Sequence, residues 1–283
     1  MATVLMERKD QYDVDLLDLR NDVVFKAFFA NRRNNRLLLS FLNAILGGHL
    51  AYVELTDPTV EINHSIDKAS VMDLRVITDS GEQVNIEMQV KGHRAFRERM
   101  LVYWAKMYAS QEETGQSYLK LKKSIQIVIT DFKLLSKLHC HSKFQLIDTD
   151  NGALFSHHAE IHVLELPKVS EKQLPDLDDL GKWLLFLKGD KQLKEALSLE
   201  SSTLEEAFEE IRRLSQDPKT RALAISREIG LKDQLQRELD AREDGKEEGQ
   251  REIILNMLDS GLSIEMIAQA VKLPIEKINE LIQ

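Results

Sequence analysis

A chain of 283 residues with 43% apolar and 30% charged side chains lies in the globular range, which excludes fibrous, low-complexity and wholly disordered architectures. Its net charge of −9 excludes a surface coated with phosphate-binding residues, while leaving room for a local basic strip beside an acidic site. One cysteine, Cys140, excludes an internal disulfide and a cysteine-built zinc site.

No apolar run reaches the roughly 18 residues of a membrane span, and Met1 to Asp10 lacks the basic-then-apolar pattern of an export signal. A soluble cytoplasmic protein without a membrane partner is expected. Residues 1–17 are polar and are read as a mobile arm. Asn21 or Asp22 caps a first helix bearing Val23, Val24, Ala27 and Phe28, and Asn34 or Asn35 starts a second that ends at Gly47-Gly48.

The period then changes to two, predicting strands over Tyr52 to Ile62, Val71 to Thr78 and Gln83 to Lys91. A long helix follows from about Ala95 to Glu113, with Met100, Tyr103, Trp104, Met107 and Tyr108 as its apolar stripe. Ser124 to Thr130 reads as a central strand, and Phe144 to Ile147 and Ile161 to Leu166 as two more. An α/β core over 18–170 is therefore expected. A helical extension and charged connector over 171–250 and a small three-helix tail over 251–283 complete the chain.

The stretch from Val71 to Lys91 is the most informative. Asp79-Ser80-Gly81 reads as a three-residue hairpin loop with glycine in the left-handed position. Pairing Thr78 with Glu82 sets Arg75 opposite Asn85 and Asp73 opposite Glu87. Met72, Leu74, Val76, Val84, Ile86, Met88 and Val90 then share a buried face. Asp73, Arg75, Asn85, Glu87, Gln89 and Lys91 share the other, which is either an ordinary solvated sheet face or a site. Two carboxylates about 5 Å apart repel by roughly 3 kcal/mol at an effective dielectric near 20, so something must offset them. A hard divalent cation does so, and so does a salt bridge from Arg75 or Lys91.

Asp73 followed by Glu87-Met88-Gln89 is similar to the acidic residue and (D/E)-x-K of the PD-(D/E)XK nucleases, with glutamine in the lysine position. Asn21-Asp22-Val23-Val24-Phe25-Lys26, Leu39-Ser40-Phe41-Leu42-Asn43-Ala44-Ile45-Leu46, Asn85-Ile86-Glu87-Met88-Gln89, Arg99-Met100-Leu101-Val102-Tyr103-Trp104 and Gly115-Gln116-Ser117-Tyr118 occur in the order seen in one branch. Over residues 18–170 the chain thus resembles the recombination-promoting nuclease, or transposase-like, family. The resemblance implies a restriction-endonuclease-like mixed sheet flanked by helices, with an α-helical C-terminal region.

It also implies a DNA endonuclease that hydrolyses phosphodiester bonds, in a bacterial recombination or mobile-element setting. Asp73 and Glu87 are the implied metal ligands, the Met88 carbonyl a third, and Mg²⁺ the cofactor, with Mn²⁺ or Ca²⁺ as substitutes. Gln89 would orient the attacking water; lacking charge, it leaves Lys91 or Lys26 to stabilise the phosphorane-like transition state. Arg94, Arg97, Arg99 and Tyr103 would contact DNA phosphates. The alternative is a catalytically degenerate nuclease fold that binds DNA or a partner.

His139, His141, His157 and His158 complete no recognisable metal-ligand spacing and are expected to be surface loop residues. The tail resembles a helix-turn-helix in outline, but its last helix carries Glu276, Lys277 and Glu280, too few cations for a groove reader. Self-association into a dimer through these C-terminal helices is the expected role.

Overall fold

A computed structural model describes residues 15–56, 74–171 and 176–282 of the chain. They form two compact units that divide after Ile225. Of the residues read as an arm, Leu16 and Leu17 pack against the main core and the Leu17 amide donates to Ser215 Oγ at 2.8 Å; residues 1–14 lie outside the described residues.

The first unit is built on a six-stranded mixed sheet of order β1-β2-β3-β4-β6-β5. Its strands are β1 (Val53–Leu55), β2 (Leu74–Thr78), β3 (Gln83–Gln89), β4 (Ser124–Thr130), β5 (His141–Ile147) and β6 (Leu154–Glu165). The three-residue loop closes β2 onto β3 antiparallel, with the Gly81 backbone left-handed at φ 82° and the Thr78 amide bonded to Glu82 O at 3.0 Å. Leu74 then meets Ile86 and Arg75 meets Asn85, the register expected from the turn. The strands β3, β4 and β6 run parallel. A parallel step needs a crossover, which helix α3 (Phe96–Ala109) supplies between β3 and β4.

Two cores form, one on each face of this sheet. Val84, Ile86, Met88, Ile125, Ile127, Ile129 and Leu164 point into the larger. Helices α1 (Asp22–Phe29), α2 (Asn35–Leu46), α4 (Asp179–Lys188), α5 (Lys191–Ser198) and α6 (Ser202–Gln216) line it. Asn21 caps α1 through Val23 N, and Gly47 ends α2 left-handed at φ 93°, as the sequence indicates. Phe29 stacks on Phe41 at 5.2 Å, and Phe41 meets Trp183 edge-on at 5.6 Å. Truncating such a ring to alanine costs about 3–5 kcal/mol, so this face carries most of the stability. The smaller core, Phe96, Met100, Val128 and Val163 with Phe132, Leu134 and Leu135 against it, lies beneath α3.

The β5–β6 hairpin is longer than the sequence indicates because polar residues occupy its inward positions. Glu160 and His162 are 2% and 1% exposed. Glu160 Oε2 accepts from Lys123, Lys143 and Gln145 at 3.0, 2.9 and 3.0 Å, and Oε1 pairs with His162 Nε2 at 2.7 Å. His162 Nδ1 in turn lies 2.7 Å from His141 Nε2. His141 is thus a strand residue in a buried network, and His157 and His158 also stand on β6, with His158 Nδ1 2.9 Å from Tyr108 Oη. The loop expectation fails for these three, which stand on strands, while His157 keeps the exposure expected of it. His139 alone of the four is exposed and outside a strand.

The second unit holds the distal part of α7 (Pro218–Asp259), α8 (Ile264–Val271) and α9 (Ile275–Ile282). The first of the three short helices expected in the tail is the end of the 42-residue α7, which runs through the charged connector without a break. Gly261 (φ 82°) and Lys272 (φ 57°) make the two turns. Ile254, Ile267, Ile278 and Leu281 form this unit's core. Among the described residues no helix is long and apolar enough to cross a membrane.

Burial, with the neighbouring His162 and Lys143, lowers the His141 pKa from 6.5 to about 4. Burial alone would raise Glu160, but His162, Lys143 and Lys123 together hold it below its ordinary 4.5. Between pH 6.5 and about 4 the unfolded chain therefore binds a proton at His141 that the folded chain refuses. Stability should be full above pH 6.5, fall as pH drops through that window, and fall further below 4.5 as Glu160 loses its advantage. Urea melts across pH 4–7 should show this slope, and it should flatten above pH 4.5 in His141→Gln.

Candidate active site

The polar face of β3 is covered, not solvated. Parallel pairing sets Glu87 beside Val128 and Asn85 beside Gln126, and α3 packs over β4 on this side. Trp104 Nε1 donates to Ser124 O at 2.8 Å and Gln111 Nε2 to Ser124 Oγ at 2.9 Å, which hold the helix and the segment after it to the start of β4. Glu87 is 0% exposed, and Asn85 and Gln126 are 2% and 0% exposed.

A carboxylate removed from water is stable only if its charge is matched. Glu87 Oε1 accepts from Gln89 Nε2 at 2.5 Å and from Arg99 Nη2 at 3.0 Å. The Arg99 guanidinium lies over Phe96 and Tyr103, 5.3 and 5.6 Å from their centroids. These rings precede and follow it by about one helical turn, so α3 itself aims the cation at Glu87. The Arg99 side chain stays 29% exposed, so the pair sits at the floor of a surface that solvent reaches.

Of the residues picked out in the sequence, Glu87, Gln89, Arg99 and Tyr103 therefore come together. Lys91 follows the end of β3 and is half-buried. Arg94, in the turn before α3, and Arg97, in its first turn, are exposed, and Arg97 Nη2 donates to Leu134 O at 3.0 Å. The Met88 side chain is in the main core at 2% exposure. Lys26 is half-buried on α1, the helix that packs its Phe25 and Phe28 into that same core. Asp73 lies outside the described residues.

Sequence reasoning missed two supports of the site. Gly92 lies against Phe132, where an added Cβ would come within 2.8 Å of the ring, so any other residue at the exit from β3 would push that ring aside. The other is the buried amide pair in which Asn85 Nδ2 donates to Gln126 Oε1 at 3.1 Å. The signal for it was a lone glutamine inside the apolar strand Ser124–Thr130.

Asn85 Oδ1 and Gln126 Nε2 are buried without hydrogen-bond partners among the described residues, so this pair already bears a desolvation cost. Asn85→Leu or Gln126→Met alone should destabilise by about 1–3 kcal/mol, because each strands the other amide. The double variant should recover at least half of the summed loss in a urea-denaturation cycle.

Searches of curated proteins and of solved structures returned no match. The model of the family described as PD-(D/E)XK nuclease family transposase matches residues 19–239, which spans the sheet, both cores and the site. On that match the chain belongs to the PD-(D/E)XK nuclease family transposases, and its function is of the nuclease type.

Proposed function

We propose that the protein is a divalent-cation-dependent DNA endonuclease, with Glu87 and Asp73 as the carboxylates that hold the cation. The observation that carries this reading is Glu87, a fully buried carboxylate tied through one oxygen to an arginine on the helix above it, in a nuclease-family fold. Asp73 is taken as the second carboxylate on the sequence alone, where the Asp79-Ser80-Gly81 turn sets it opposite Glu87. Two carboxylates fit a hard cation that takes oxygen ligands, with Mg²⁺ first and Mn²⁺ or Ca²⁺ as substitutes, and the Met88 carbonyl is assigned as a further ligand.

Such a cation supplies a water activated for attack and neutralises charge on the phosphate. Within the chain, the Gln89 amide orients that water or a phosphate oxygen by hydrogen bonding. It carries no charge, so Lys91 or Lys26 is assigned to stabilise the charge that develops as the P–O bond breaks. Arg94 and Arg97, exposed around the start of α3, bind flanking phosphates with Arg99 and Tyr103.

One observation favours a second reading. The Gln89 amide is engaged with Glu87 rather than turned to solvent, which suits a catalytically degenerate fold that binds DNA without cutting it. Plasmid nicking with Mg²⁺, Mn²⁺, Ca²⁺ and chelator separates the two. We expect cleavage that needs the cation and that Asp73→Ala or Glu87→Gln lowers at least about 100-fold, the range seen when one transition-state contact is lost. Gln89→Lys should preserve or raise the rate. Chelator-insensitive binding with no nicking by the wild type would establish the degenerate reading instead.

We further assign self-association to the C-terminal helices. Met266 and Ile275 remain 57% and 40% exposed beside the small tail core, and Lys277 is already paired with Glu247 and Glu280 at 3.6 and 3.3 Å, which weakens a DNA-reading role. Two copies related by a two-fold axis suit a substrate with two strands. Removing residues 251–283 should lower the mass measured by light scattering and leave single-strand nicking detectable. An unchanged mass with lost DNA affinity would assign the tail to DNA instead.

A further inference from the structure

We propose that Arg99 is a displaceable counter-ion that competes with the cation for Glu87 and, on release, binds a phosphate of the nucleic acid. Cation binding and nucleic-acid binding are thereby coupled. This rests on the assignment of Glu87 as a cation ligand.

The competition follows from the geometry at one atom. A carboxylate oxygen offers two lone-pair directions, and Glu87 Oε1 already receives Gln89 Nε2 and Arg99 Nη2. Ligation through that oxygen requires one donor to leave, and ligation through Oε2 of the same carboxylate still sets the cation within a few ångströms of the Arg99 charge. Gln89 is neutral and shares the strand with Glu87, whereas Arg99 carries a full positive charge that repels a divalent cation at a few ångströms. Arg99 is therefore the group that leaves.

Its present seat is also incomplete. Arg99 holds Glu87 through a single nitrogen, without the parallel pair of bonds that gives arginine–carboxylate contacts their strength. Its Nε is buried and has no acceptor among the described residues. The rings of Phe96 and Tyr103 support the guanidinium by contacts independent of Glu87, so departure from the carboxylate need not abandon them. With 29% of the side chain exposed and Arg94 and Arg97 at the surface around the start of the same helix, the released fork is close to where a phosphate would be bound.

A merely structural ion pair predicts something different. If Arg99 only fastens α3 to β3, its removal loosens the site and weakens cation binding. If it competes, its removal tightens cation binding and abolishes the coupling, because linkage acts equally in both directions.

The test uses the full-length protein and Mn²⁺ followed by calorimetry without DNA, then a duplex with phosphorothioate linkages titrated with and without Mn²⁺. We expect Arg99→Gln to bind Mn²⁺ at least about tenfold more tightly than wild type, from the loss of a nearby positive charge. The wild type should gain duplex affinity when Mn²⁺ is added, and Arg99→Gln should not. Arg99→Lys, which keeps the charge but not the reach, should lie between them in both measurements and stands in if the glutamine variant fails to fold. Unchanged or weaker Mn²⁺ binding by a folded Arg99 variant, or a Mn²⁺-induced gain that persists in it, overturns the proposal while leaving Glu87 as a ligand. Wild-type Mn²⁺ binding that Glu87→Gln does not remove overturns the ligand assignment and the proposal together.

Discussion

Taking a carboxylate wholly out of water obliges the surrounding chain to supply hydrogen-bond donors and a positive charge within reach, and Glu87 sets that requirement for the smaller face of the sheet. The donors come from two directions. Gln89 stands two residues along the same strand, and Arg99 descends from α3. For Arg99 to arrive, the chain must turn sharply after β3 and start a helix within a few residues, which the Gly92 contact with Phe132 makes room for. The cluster of Phe96, Met100, Val128 and Val163 then keeps the helix down. The satellite core is thus best understood as the clamp that holds a cation over a buried anion.

This division of labour leaves the larger face free to serve stability. Its helices bring Phe28, Phe29, Phe41, Trp183 and Phe186 into one aromatic cluster, and its strands contribute only aliphatic residues and Met88. Because β3 alternates strictly, Val84, Ile86 and Met88 enter the fold-bearing core while Asn85 and Glu87 enter the site. One strand therefore serves both faces, and a shift of one residue in its register would exchange them.

Much of this is legible in the residues themselves. The Asp79-Ser80-Gly81 turn fixes the β2–β3 register, and the isoleucines and valine of Ser124–Thr130, on both faces of the strand, mark it as buried on both sides. The burial of Glu87 was not legible, since alternating polar residues look the same on a solvated face and on a covered one. Nor does α3 announce that it covers anything: Leu101 and Val102 face outward at 55% and 49% exposure while Arg99 faces in. The His141–His162 contact joins residues 21 apart in sequence, and only the β5–β6 pairing brings them together. The continuity of α7 was concealed by the mixed-charge run with Gly245 and Gly249, which suits a solvated helix or a hinge equally, whereas pairs such as Gln234 to Glu238 and Gln236 to Asp240 support the helix locally.

The position of β5 at the end of the sheet bears on how the molecule stays in solution. Among the described strands it has a neighbour on one side only, and Phe144, Leu146 and Ile147 on it are 45%, 49% and 54% exposed. An apolar strand with an open edge is a template on which another chain can add itself. Two features oppose that here: the irregular pairing after Gln145, which bends the edge, and Lys143, a charge set midway along it. Since Lys143 also neutralises buried Glu160, colloidal protection and internal electrostatics rest on the same ammonium group. A substitution of Lys143 therefore acts in two places at once, baring the apolar edge outside and leaving Glu160 with one ammonium partner, Lys123, instead of two within.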